Sequence, residues 1–193
     1  MGRITIGRFL FLTFLMIGLG GGGAASGAKE APYKRTIQSY EVPDVTLINQ
    51  DGAKVQLKDL LLSGKPILVD FVYTTCTTIC PILSANFTNF QKELAAKAGT
   101  FQLVSISIDP ENDNPKAMKA YLQRYYAKPG WDFLTGSRAD IDRVLVALDA
   151  KTQNKMDHEP LILIKSPSVG NWLRIYGLIG TTELTKEYEG MLK

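Results

Sequence analysis

Apolar and polar side chains alternate through Val45-Thr-Leu-Ile-Asn-Gln and again through Ala53-Lys-Val-Gln-Leu, with Asp51-Gly52 between the two runs. A strand with one buried face requires that period of two, and Asp-Gly tolerates the positive φ angles of a tight turn, so a β-hairpin is predicted. Asp59-Leu-Leu-Leu suggests a short helical turn ended by Gly64, and the mostly apolar run Pro66-Ile-Leu-Val-Asp-Phe-Val-Tyr suits a buried central strand. From Pro81 the period changes: Leu83, Phe87, Phe90 and Leu94 fall on one face of a helix. Phe101-Gln-Leu-Val-Ser-Ile-Ser-Ile reads as a second buried strand. A helix capped by Asn114, with Pro115 at its first position and Met118, Leu122 and Tyr125 on its apolar face, follows. Trp131-Asp-Phe-Leu is a short strand, and Ile141, Val144, Leu145 and Leu148 mark a third helix. Leu161-Ile-Leu-Ile and Trp172-Leu-Arg-Ile-Tyr are strands paired across the Ser166–Asn171 turn, and Thr181 to Leu192 is a closing helix. Residues from Lys29 to about Val42 carry no clear period and read as an extended lead-in.

Helices between the early strands demand right-handed parallel crossovers, whereas the late hairpin demands antiparallel pairing. The expected architecture is therefore α/β and thioredoxin-like: a central mixed sheet flanked by helices, with an extra N-terminal hairpin. Neither an internal repeat nor an interdomain linker interrupts residues 45–193, which are expected to form one domain.

The first 28 residues follow a different logic. Arg3 and Arg8 precede the apolar run Phe9–Leu19, and the small residues Gly20–Ala28 follow it. These are the parts of a secretory signal peptide, with cleavage expected near Ala25 or Ala28; an uncleaved N-terminal anchor is the alternative, giving membrane association through the N-terminus. The segment holds two of the 22 basic residues and no acid, so the rest of the chain carries 20 basic against 19 acidic side chains. The formal charge of +3 is thus mostly a targeting feature, and it is too small to suggest nucleic acid binding, where a clustered basic face would be expected. An exported domain, periplasmic or on the outer face of the inner membrane, is in a compartment where thiols can be oxidised.

Two cysteines and one histidine in 193 residues exclude a disulfide framework and a four-thiolate zinc site. Cys76-Thr-Thr-Ile-Cys80-Pro81 lies between the buried strand and the first long helix, which is expected to begin at Pro81 and leave both sulfurs in the loop before it. The positive end of the helix dipole would there favour thiolate, the form that attacks disulfides and binds soft metals. A stabilising disulfide is one reading of the pair, disulfide exchange another and metal binding a third; the three-residue gap gives both sulfurs room to face a common ion. His158 stands just before Leu161–Ile164, either as an ordinary hydrogen-bonded residue or, where its loop approaches the helix N-terminus, as a third ligand. Two thiolates and an imidazole form a soft set suited to Cu(I) and adaptable to Cu(II), while structural zinc would need a fourth protein ligand. Met156 is a further soft atom nearby.

Taken with Ser107-Ile-Asp-Pro-Glu111 after the second strand and Asp157-His158 before the hairpin, the Cys76-xxx-Cys80-Pro81 motif resembles the Sco/SenC family of copper-binding assembly proteins for cytochrome c oxidase. The resemblance spans roughly Val45 to Gly180. It implies a thioredoxin-like domain that binds one copper ion through Cys76, Cys80 and His158. Such a protein passes copper to the dinuclear copper site of the oxidase subunit, or to another copper or thiol protein, or keeps that site's thiols reduced. Thiol–disulfide oxidoreductase action of Cys76 and Cys80 as catalytic residues is the alternative activity. Asp109 matches the family's Asp-Pro motif, and the resemblance implies a supporting role for it behind the ligands. Pro160 stands where thioredoxins carry a cis-proline.

Overall fold

A computed structural model of the chain describes residues 1–2, 33–97, 99–167 and 170–193; the leader reading falls almost wholly outside them. One compact unit covers Ala31–Lys193. Its strands are β1 (Tyr33–Gln38), β2 (Thr46–Asn49), β3 (Lys54–Gln56), β4 (Ile67–Val72), β5 (Gln102–Ser107), β6 (Trp131–Thr135), β7 (Leu161–Lys165) and β8 (Trp172–Gly177). The helices are α1 (Leu57–Leu61), α2 (Cys80–Glu93), α3 (Pro115–Arg124), α4 (Arg138–Ala147) and α5 (Thr181–Gly190).

All the described strands join one sheet in the order β1-β8-β7-β4-β5-β6-β2-β3. β4, β5 and β6 are parallel, and every other pairing is antiparallel. This is the expected mixed sheet, with the hairpin β2–β3 added at the β6 edge. Its loop is closed by Asn49, whose Oδ1 accepts the amides of Asp51 and Ala53 at 3.0 and 2.9 Å, while Gly52 takes φ +79°.

The central strands are mostly apolar because both their faces are buried: every residue of β4 is buried, and all of β5 after Gln102. α2 turns Leu83, Phe87 and Phe90 into the core. Phe87 meets Trp131 edge-on at 5.5 Å, and Phe90 meets Phe101 and Tyr188 at 5.2 and 5.1 Å, joining α2 to the sheet and to α5. Tyr121 of α3 packs on Phe133 of β6 at 5.4 Å. Asn114 caps α3 as expected, its side chain accepting the Ala117 amide at 3.0 Å.

Two expectations are revised. The lead-in is extended, but Tyr33–Gln38 is a paired edge strand in antiparallel register with β8. Its side chains are almost all exposed, so no hydrophobic alternation marks it. Backbone pairing and the Glu187 carboxylate, which accepts from Tyr33 Oη at 3.0 Å and pairs with Arg35 at 3.1 Å, hold it in place. The second revision concerns Cys80, which is the first residue of α2 with Pro81 second, rather than the last residue of a loop. Pro81 is compatible with that position because the amide it lacks has no partner in a first helical turn. Among the described residues no peptide bond is cis, Pro160 included, and no helix is long and apolar enough to cross a membrane.

Candidate metal and thiol site

β4 delivers the chain to the rim of the sheet at Tyr73, where it turns sharply: the Cys76 amide donates to the Tyr73 carbonyl at 3.2 Å. Thr74 is fixed at the start of this turn by Asp113, which accepts from its amide at 3.0 Å and its hydroxyl at 2.6 Å. Thr77 and Thr78 face solvent, and the chain enters α2 at Cys80. On the other side of the rim, a short 3-10 helix, Lys155–Asp157, presents His158 just before β7. β7 pairs directly with β4, so sheet order brings residues far apart in sequence to one place.

The sulfurs of Cys76 and Cys80 and a ring nitrogen of His158 all lie within 4.8 Å of one another, and all three residues are buried. The cysteines are not joined. Cys80 Sγ is 3.4 Å from His158 Nε2, and Cys76 Sγ is 3.7 Å from Thr78 Oγ1. His158 Nδ1 lies 2.8 Å from the Lys155 carbonyl. Because a carbonyl can only accept, Nδ1 carries the proton there and the Nε2 lone pair faces Cys80, the tautomer a metal ligand needs. Burial holds the imidazole pKa below its ordinary value, against the smaller opposing effect of the Lys155 carbonyl, so the ring is neutral near pH 7. Tyr73 packs edge-on against it at 5.4 Å between ring centres.

The two thiols differ. Burial pushes Cys76 up, but the Cys80 thiol, the amides of Cys80 and Thr78, and the Thr78 hydroxyl together outweigh it, and the pKa falls below the usual thiol value. Burial dominates at Cys80 and raises its pKa strongly, with Cys76 beside it adding to the effect. The helix-dipole expectation therefore holds in direction for Cys76 and fails for Cys80. The dipole contributes about 0.3–1 kcal/mol at an exposed terminus, up to about 2 when partly buried, which is less than the cost of ionising a fully enclosed thiol.

Met156 is mostly exposed, and its sulfur accepts from Tyr73 Oη at 3.4 Å. Among the described residues, the thiol and imidazole donors that converge are those of Cys76, Cys80 and His158. They fit a soft, low-coordinate cation and leave further coordination to water or an incoming group. Asp109 stands behind the ligands: its Oδ2 accepts from Lys155 Nζ at 2.6 Å.

Several contributors escaped the sequence reading. Tyr73 and Lys155 carried no distinguishing pattern. Asp70 did, as a single carboxylate within an apolar strand: it is fully buried on β4 with neither oxygen hydrogen-bonded, and it adds to the elevation of Cys80.

A thioredoxin-like domain with two thiols and a neutral imidazole converging at one rim of its sheet is the class of protein these observations define. The SCO1/SenC family model matches residues 34–168, and the chain belongs to that family. It is 35% identical over 156 residues to the SCO1 protein homolog of Bacillus subtilis, covering 79% of this chain and 76% of that one. The structure of BsSco, a member of the Sco family of cytochrome c oxidase assembly proteins with an identified disulfide switch, superposes with a TM-score of 0.67 at 32% identity, covering 80% of this chain and 96% of that one. Copper-bound ScoI of Bradyrhizobium japonicum gives a TM-score of 0.62 at 28% identity, covering 76% and 96% of the two chains.

Proposed function

We propose that this protein binds one copper ion through Cys76, Cys80 and His158. It delivers that ion to the dinuclear copper site of cytochrome c oxidase or keeps the thiols of that site reduced. The observation that carries the reading is the convergence of the three ligand atoms within 4.8 Å, with the imidazole held in its ligating tautomer by the Lys155 carbonyl. Copper-bound ScoI, similar along most of this chain, supports the choice of metal. The leader-like first 28 residues support an exported location. The oxidase subunit is the partner this reading names, approached at the rim where Thr77 and Thr78 are exposed.

Closing both sulfurs and the imidazole on Cu(I) displaces the Cys80 proton, so binding strengthens as pH rises. Release follows by ligand exchange with an acceptor's own thiolates. The test is a competition titration of the reduced protein against a Cu(I) chelator. One tight site, weakened in His158→Ala and lost in Cys76→Ser or Cys80→Ser, is expected; affinity unchanged in any one of the three variants refutes this ligand set.

The unequal thiols favour a second activity at the same residues. Cys76, the more readily ionised, attacks a partner disulfide, forms a mixed disulfide and releases one partner thiolate. Cys80, losing its proton, then attacks the Cys76 sulfur, releases the second partner thiolate and leaves a Cys76–Cys80 disulfide. Cys80→Ser is expected to trap the mixed disulfide; trapping by Cys76→Ser instead would reverse the roles.

A further inference from the structure

One chain of polar contacts runs behind the ligands and joins the cysteine loop to the histidine loop through the end of β5. Thr74 donates twice to Asp113, and Asp113 accepts from Ser107 Oγ at 2.6 Å. Ser107 Oγ accepts the Asp109 amide at 3.0 Å. The Asp109 carboxylate, 6% exposed, accepts Asn112 Nδ2 at 3.1 and 3.0 Å on its two oxygens and Lys155 Nζ at 2.6 Å on one of them. The Lys155 ammonium also lies 5.3 Å from the centre of the Tyr73 ring, the ring that packs against His158. Lys155 therefore reaches the site twice: its side chain is anchored on the sheet rim, and its carbonyl accepts from His158 Nδ1.

We propose that Lys155 is a positioning residue for His158, its ion pair with Asp109 pinning the 3-10 turn so that the backbone carbonyl keeps Nε2 aimed at the two sulfurs. The inference rests on the proposed copper ligands and adds to them a residue that touches no metal. The ion pair is short, and its carboxylate is enclosed, so it is screened by water far less than a surface pair. The turn has little else to hold it: Met156 and Asp157 are exposed, and apart from the hydrogen bond Met156 receives from Tyr73 the internal contacts are local ones to Asn154 and Lys155. Without the anchor the carbonyl is free to turn away, and the imidazole loses the partner that selects its tautomer.

The test compares Lys155→Met, Lys155→Arg and the double variant Lys155→Met/His158→Ala with the parent and with His158→Ala. Each is titrated with Cu(I) against a chelator. The ring-nitrogen chemical shifts of His158 in the metal-free protein report its tautomer independently of metal. Lys155→Met is expected to weaken Cu(I) binding about 10–100-fold, as loss of a group supporting a ligand typically does, and to mix the His158 tautomers. Lys155→Arg should restore both, and the double variant should bind no more weakly than His158→Ala alone. A purely structural role would lower the melting temperature without moving the ring shifts. Lys155→Met with parental affinity and an unmixed tautomer, while His158→Ala is weakened, overturns the positioning role but leaves the ligand set standing. Parental affinity in His158→Ala overturns the ligand set itself.

Discussion

Replacing Asp70 by Asn tests the electrostatics of the core beneath the site. Asp70 lies mid-strand in β4, opposite Ser105 of β5 in parallel register, with no exposed surface and both oxygens unpartnered. Burial raises its pKa from 3.8 to about 7. The folded protein thus keeps the carboxyl protonated up to about pH 7, whereas the unfolded chain releases the proton near pH 4. Between those values the folded state binds more protons, so the contribution of Asp70 to stability falls as pH rises and is fully lost above about 7. At about 1.36 kcal/mol per pKa unit, a shift of roughly three units corresponds to about 4 kcal/mol. Asn is neutral at every pH and close to the shape of the protonated acid. The parent and Asp70→Asn should therefore be nearly equal in stability at pH 4, with the variant about 4 kcal/mol more stable at pH 8. Urea unfolding under reducing conditions at several pH values reads this difference directly, since other titrating groups are common to both proteins. A stability difference that stays constant from pH 4 to 8 would refute the reasoning, because it would mean that Asp70 does not titrate differently on folding.

Phe90→Ala removes the ring that touches both Phe101 and Tyr188; a loss of about 3–5 kcal/mol in urea unfolding is expected for such a cavity, with amide exchange accelerated most in α5, and a loss below about 1 kcal/mol would show that the aromatic cluster does not anchor that helix. Asn114→Ala deletes the side chain that accepts the Ala117 amide and should cost about 1 kcal/mol, whereas Asn114→Asp should retain stability above the carboxylate pKa; equal losses in both variants would exclude capping as the cause.

Legibility followed the hydrophobic pattern closely. Strands and helices that bury one face or both, from the hairpin at Asp51-Gly52 to the amphipathic α2 and the capped α3, were readable because burial itself writes their period. β1 was not, because its side chains face water and its place is set by backbone hydrogen bonds to β8, which leave no trace in residue type. The same distinction holds at the site. Cys76, Cys80 and His158 stood out because their chemistry is rare in this chain, and the mixed sheet order brought them together as expected. Lys155 is an unremarkable lysine in sequence; its importance comes from geometry that places its ammonium and its carbonyl on opposite duties. α2 starts one residue before Pro81, at the position that the bias of the residue before proline against helical geometry disfavours. That bias costs little at a helix terminus, and here the capping residue Ile79 already lies in the right-handed helical region.

The difference between the two thiols links the copper and disulfide readings through one physical cause. Two adjacent thiolates in an enclosed site would repel each other and lack water to solvate them. Burial of Cys80 avoids this by keeping that sulfur protonated, its S–H facing the His158 Nε2 lone pair, so that only Cys76, whose pKa is lowered, ionises readily. A neutral imidazole adds no counter-charge that would be lost on metal binding. The reduced site therefore holds at most one negative charge until something arrives that justifies a second: a soft cation that neutralises both sulfurs, or a disulfide bond that removes the charge by oxidation. Either event draws the Cys80 proton out of the same enclosed position. Copper binding and disulfide formation should consequently compete for one deprotonation, and a protein oxidised at Cys76 and Cys80 cannot close its thiolate pair on copper until it is reduced.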